Sequence, residues 1–380
     1  MASTNPAPAR LASVDALRGF AVAGMVLVND PGDPNSVVGW LQHAGGHGMS
    51  LADLVFPLFL FVVGASVALS IGPARDRVNG GPPELDRSAA WRRIWKRTGL
   101  LLALGFALNV VLELPYFDLR GTRLPGVLQR IALCYLAAAA AALLLDSRTR
   151  LVTALALVCG YGLLLRFTAA PAYPIGQLDD PAGTLPAYVD RLLFGDRLWK
   201  GTWDPEGLLS TLPAIASTLF GIVAVERMRA AADERQRIRV LKVGAAAALI
   251  AGSVIGEWQP VDKNLWTPAF TLLTTGLALV ALLVCVLAID VRGDRVASRP
   301  LVWLGANPLL VYLGSAVLGQ LLAILPAADP RLSARGWLMQ HAFGWLSPPA
   351  TASLAYALVM LAFWTAIARS LYHRRIFVRL

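Results

Sequence analysis

The sequence predicts an all-α integral membrane protein, a polytopic bundle of about ten transmembrane helices with both termini cytoplasmic. Three observations carry that prediction. Hydrophobic residues make up 56% of the 380 and charged residues 15%, with a mean hydropathy of +0.58, a composition too apolar for an ordinary soluble domain. The apolar residues gather into runs near the roughly 20 residues a bilayer-crossing helix needs, centred on 15–29, 50–72, 97–113, 126–145, 150–167, 207–225, 240–257, 266–289, 300–324 and 349–368. The cations, finally, sort by connection.

With the N-terminus inside, the inside segments hold Arg10, the run from Arg75 to Arg97, Arg148 and Arg150, the run from Arg227 to Lys242, Arg292, Arg295 and Arg299, and the tail from Arg369 to Arg379. The outside segments hold only Arg120, Arg123, Arg191, Arg197, Lys200, Lys263, Arg331 and Arg335. Cations concentrate on the cytoplasmic side of membrane proteins, so this orientation is the expected one. It also explains the formal charge of +10 without nucleic acid, because the cations do not form one binding face. Residues 1–12 are read as a short cytoplasmic tail, 13–370 as the membrane domain and 371–380 as a basic cytoplasmic tail. The first apolar run follows no charged leader and has no cleavage site, so it reads as an uncleaved signal-anchor. Cys134, Cys159 and Cys285 all fall inside apolar runs, which argues against a disulfide framework and against a zinc cluster.

In the first span Asp15 and Arg18 stand three apart and can pair along one helix face. Asn29 closes that span before Asp30-Pro31-Gly32-Asp33-Pro34, which cannot continue a helix. Two roles stay open for Asn29: a helix cap, or an amide that orients a substrate or holds an oxyanion. The outward loop then carries His43-Ala44-Gly45-Gly46-His47-Gly48. Imidazole is the side chain that most readily exchanges a proton near neutrality, so His43 and His47 are the first candidates for chemistry. No third histidine or cysteine lies near, and no metal is expected. Asp53 follows at the start of the second span, as a cap at the helix's positive end or as the carboxylate that orients a histidine.

Before the third span, AWRRIWKR from Ala90 to Arg97 reads as an interfacial anchor or, through Arg92, Arg93 and Arg97, as a binding site for a phosphorylated cofactor. Arg130 stands inside the fourth span, where an arginine is costly unless paired or wet; it joins that candidate set, as does Asn307 of Asn307-Pro308 in the ninth span. The connection from 168 to 206 is long for a compact membrane protein, and its end brings Trp199, Trp203, Asp204 and Glu206 together. Such a group suits a sugar, with aromatic faces for the ring and carboxylates for its hydroxyl or ammonium hydrogens; an interface belt with a capping Asp-Pro-Glu accounts for it equally well. DKNLWTPAF, Asp262 to Phe270, adds Asn264 and Trp266 at the same edge. His341 and His373 have no evident partners in the sequence.

RLASVDALRGFAVAGMVLVN, HAGGHGMSLADLVFPLFLFVVGAS, RLPGVLQRIALCYL, WDPEGLLSTLPAI, KNLWTPAF and GANPLLVYLG occur in this order. The series resembles the heparan-α-glucosaminide N-acetyltransferase family and its bacterial relatives, within the transmembrane acyltransferases, over Arg10 to about Arg375. The resemblance implies a multi-pass enzyme that takes acetyl-CoA from the cytoplasm and acetylates the amino group of a terminal glucosamine across the membrane. It assigns His43 as the catalytic base and Asn29 and Asp53 to the same site, with His47, Trp203, Asp204, Glu206, Asn264 and Trp266 as candidate acceptor contacts. Arg92, Arg93, Arg97, Arg130 and Asn307 become candidate contacts for CoA, and a homodimer is what the family implies. Eukaryotic members read HASWNG where this chain reads HAGGHG, so the acceptor sugar is open. The chain has no Asn-x-Ser/Thr sequon and no large N-terminal luminal domain, which favours a bacterial inner-membrane relative. An amino-sugar transporter and an O-acyltransferase acting on a cell-envelope glycan remain the alternative readings.

Overall fold

The computed structural model describes residues 11–78, 87–327, 329 and 331–378. Arg10 and Arg379 of the cytoplasmic set lie outside the described residues, as do the side chains of Arg75, Arg77 and Arg87. The described chain folds into helices α1 (Ala12–Asn29), α2 (Leu51–Val78), α3 (Arg87–Leu112), α4 (Val127–Leu144), α5 (Ser147–Phe167), α6 (Leu185–Phe194), α7 (Thr211–Ala230), α8 (Glu234–Gly256), α9 (Pro268–Cys285), α10 (Arg299–Ala306), α11 (Pro308–Ile324), α12 (Ala334–Ala342) and α13 (Pro349–His373). Among the described residues nine helices are long and apolar enough to cross a membrane, and the bent pair α10 and α11 has the length and composition of a tenth, as a broken span or a re-entrant loop. This is a polytopic helical membrane protein.

The ten apolar runs of the sequence correspond to these nine helices and the bent pair, with one difference of form. The ninth is not a single helix: α10 and α11 meet at 82°. Pro308 has no N–H to continue the ladder and Asn307 leaves helical geometry (φ −131°, ψ 54°). The side chain of Asn307 closes the break, donating from Nδ2 to the Ile376 carbonyl (3.0 Å) and accepting at Oδ1 from Val378 N (2.7 Å). Asn307, expected at a cofactor, is thus held by the chain's own C-terminal segment.

Small residues let the spans meet backbone to backbone. A Cβ on Gly19 would lie 1.7 Å from the Leu301 carbonyl oxygen and one on Gly305 2.2 Å from that of Asp15, so α10 rests directly on α1. Arg18 locks this crossing, donating to Asp15 (3.0 Å), to Ser66 of α2 (2.8 Å) and to the Gly305 carbonyl (3.2 Å). The long connection between α5 and α7 is ordered around α6, which starts at the Thr184 cap and stops at Gly195 (φ 59°), a position in the left-handed region that suits glycine. The α1–α2 connection, the α5–α7 connection and the α8–α9 connection converge at one end of the bundle.

Candidate active site

Asp53 lies in the first turn of α2 and is 1% exposed. A buried carboxylate needs donors at both oxygens. Oδ2 accepts from Ser50 N (2.9 Å), Ser50 Oγ (3.1 Å) and Ala44 N (3.1 Å). Oδ1 faces His43 Nδ1 at 2.7 Å and Lys263 Nζ at 3.3 Å. With Nδ1–H donated to Asp53, the imidazole keeps the Nε2 lone pair as an acceptor, with Lys263 Nζ 3.4 Å away, and the His43 side chain is 49% exposed.

Lys263 comes from the α8–α9 connection, and its Nζ lies 3.0 Å from His43 Nδ1 and 3.4 Å from Nε2. Burial lowers its pKa, against the pull of Asp53 and Glu206. The turn that presents it is fixed at several points. Asp262 Oδ1 accepts from Asn264 N (2.6 Å) and Leu265 N (3.1 Å), Tyr161 donates to the Leu265 carbonyl (2.8 Å), and Gly48 N donates to the Val261 carbonyl (2.6 Å). Trp266 sits in the left-handed region (φ 52°), a strained conformation held by burial to 1% exposure and by edge contacts with Phe56 and Phe270. His47 ties the same two connections to a third: its Nδ1 lies 3.2 Å from Asp262 and its Nε2 2.9 Å from Asp179. Burial raises the pKa of Asp262, opposed by its backbone donors and by His47.

The other candidates fall around this group. Asn29 ends α1 with an exposed side chain that makes no hydrogen bond to the His43 group among the described residues. Arg130 stands one turn into α4, donates to the Gly207 carbonyl (3.1 Å) and Ser210 (2.5 Å), and lies 4.9 Å over the Trp266 ring. Its Nε and Nη1 are buried with no protein partner. Asp204 and Glu206 are both gripped by Arg123, which donates to Asp204 at 2.8 and 2.5 Å and also to Glu206. Burial works against the charge of Arg123, but the two carboxylates outweigh it and hold the guanidinium above its usual range. Trp199 lies 5.0 Å beneath that guanidinium, while Trp203, Asp204 and Asn264 border a void of about 10 Å³, room for one water.

The structure does not bring Arg92, Arg93 and Arg97 to the histidines. Arg92 and Arg93 are exposed at the other end of α3, and Arg97 stacks on Tyr135 at 4.5 Å, five residues beyond Arg130 along α4. Sequence reasoning counted Lys263 only as an outside cation and missed Arg123 and Asp179 as partners. The proximity of Lys263 to His43 has no signal in local spacing, since 220 residues separate them. Among the described residues no three His, Cys, Asp or Glu side chains are grouped to hold a metal ion.

Fold and site together define a multi-pass membrane protein with an imidazole, a buried carboxylate and an ammonium assembled at one mouth of its helix bundle. Residues 10–182 match the family model described as heparan-alpha-glucosaminide N-acetyltransferase, catalytic. The chain is 27% identical to the human heparan-alpha-glucosaminide N-acetyltransferase over 97% of its own length, and 27% identical to the mouse protein over the same share. It spans 60% of the length of each of these relatives. These similarities point to the heparan-alpha-glucosaminide N-acetyltransferase family.

Proposed function

We propose that this protein is a transmembrane N-acetyltransferase of a bacterial plasma membrane, moving an acetyl group from cytoplasmic acetyl-CoA to the amino group of a glucosamine-type sugar on the outer face. The observation that carries this reading is the convergence of His43 and Lys263 on Asp53. An acetyl thioester is already activated, so an enzyme has to take a proton from the amine, hold it against the carbonyl and stabilise the oxyanion. The bound ammonium first loses one proton to solvent, and His43 Nε2 then takes a second proton from the attacking amine as the C–N bond forms. Lys263 donates to the carbonyl oxygen as it becomes an oxyanion; when the C–S bond breaks, the His43 imidazolium returns its proton to the CoA thiolate. A positioned base contributes about 10²–10⁴-fold and one oxyanion donor about 10²–10³-fold. The carboxylates of Asp179 and Asp262 beside His47 favour a cationic acceptor, and so an amino sugar over a glycan hydroxyl.

The test is transfer from labelled acetyl-CoA to glucosamine by the purified protein, with His43→Ala alongside. Transfer by the parent and its loss in the variant, with CoA binding kept, establishes the reading. No transfer and no CoA binding in either protein overturns it in favour of transport.

A further inference from the structure

A large cavity lies at the end of the bundle opposite His43. It has a volume of about 910 Å³ and is walled by the start of α1, the turn after α9, α10 and the end of α13. Its lining includes Arg295, Arg299 and Arg369 with the rings of Trp303, Tyr372 and His373. Arg369 lies 5.2 Å over Trp303, and the Trp303 and His373 rings are 6.0 Å apart. The one acid in the wall, Asp290, is occupied by a 2.7 Å hydrogen bond from Ser13. None of the three guanidinium groups is ion-paired among the described residues. Three cations beside flat aromatic faces match a ligand that joins phosphate groups to a planar base, and the volume lies within the usual range for small-molecule sites.

From this we infer that the cavity binds the adenine-nucleotide end of the acyl-CoA donor, in place of the α3 arginines; this rests on the acyltransferase reading above. Distances along α1 support it. Leu301, beside the cavity residues Val302 and Trp303, touches α1 at Gly19. The rise along α1 to Asn29 is about 25 Å from Ala12 in the cavity wall and about 15 Å from Gly19 beside α10, and an extended phosphopantetheine arm spans about 15–20 Å. A nucleotide seated there leaves the thioester within reach of the His43 end.

A membrane phosphate headgroup offers the same charge without the base, so the experiment separates the two. Adenosine 3′,5′-bisphosphate, which has neither pantetheine nor acetyl group, is titrated against the full-length protein in nanodiscs of zwitterionic lipid and of lipid containing phosphatidylglycerol. The expected result is saturable binding in both, weakened about tenfold or more by Arg299→Gln and by Arg369→Gln, each the loss of a charge-assisted phosphate contact. Arg227→Gln, an exposed arginine at the end of α7, leaves it unchanged. The same two cavity variants raise the KM for acetyl-CoA and leave kcat near the parent value. Binding abolished by phosphatidylglycerol identifies a lipid site and overturns the inference, as does nucleotide binding indifferent to both substitutions. Nucleotide binding lost in the variants, from a parent that transfers no acetyl group, supports the site while the acyltransferase reading falls. Transfer with a KM for acetyl-CoA unchanged in both variants leaves that reading standing and overturns the site.

Discussion

Lys263 and His43, 220 residues apart in sequence, meet at one oxygen of Asp53: Oδ1 lies 3.3 Å from the ammonium and 2.7 Å from His43 Nδ1. One carboxylate therefore orients the imidazole and anchors the nearest cation. Asp53→Asn removes the charge while keeping the shape, and leaves an amide that can present N–H to His43 Nδ1 and reverse the tautomer. The expected outcome is a fall in kcat for acetyl transfer of about 10²–10⁴-fold with the protein still folded. Steady-state kinetics beside a thermal melt checks it.

Lys263 separates two effects. Lys263→Met keeps the length and removes the ammonium, and should lower kcat by about 10²–10³-fold with little change in either KM, because the lost donor acts on charge that develops only in the transition state. Lys263→Arg keeps a donor and should recover part of that loss. Equal losses in both variants would point to packing of the α8–α9 connection as the whole role of the residue.

Asp204 is 4% exposed and depends on Arg123 for its compensating charge. Arg123→Gln strands a buried carboxylate, a change that typically costs about 3–5 kcal/mol. A markedly lower melting temperature in detergent is expected, with partial recovery when Asp204→Asn is added. A coupling near zero between the two substitutions would show that the pair is solvated.

Orientation is open to a direct check. Gly45 stands in the His43 loop with no neighbour in the way of a side chain, and Ala297 is exposed near the cavity end. Gly45→Cys should react with a membrane-impermeant maleimide in intact cells and Ala297→Cys only after permeabilisation; the reverse pattern inverts the proposed topology.

The spans were legible because lipid imposes a length and a composition that few other structures share. His43 and Asp53 were legible as a pair because ten residues of glycine-rich loop and one helix start separate them. Lys263 was not, since nothing local tells a cation that meets His43 from any other loop cation. The pairing of Asp204 and Glu206 with Arg123 was not legible, because Arg123 arrives from a different connection. The break at Asn307 was written in the Asn-Pro pair, but the 82° turn and its closure by Ile376 and Val378 depend on packing that periodicity does not encode.

Asp190 of α6 offers a stability measurement independent of catalysis. Its side chain is 2% exposed, and Oδ1 accepts from Leu208 N at 2.8 Å. Burial raises its pKa from the usual 3.8 to about 6, with the nearby charge of Asp204 adding to the rise. An acid whose pKa is raised by folding binds its proton more tightly in the folded state, so its contribution is fully present below pH 3.8 and is lost as pH rises through 6. At neutral pH the ionised carboxylate then costs at most about 3 kcal/mol. Asp190→Asn keeps an oxygen for Leu208 N and cannot ionise. The variant should melt higher than the parent at pH 7.5, and the difference should fall by about half by pH 5 and approach zero only below pH 3.8. A melting difference that stays constant between those two pH values would mean that Asp190 does not titrate in that window.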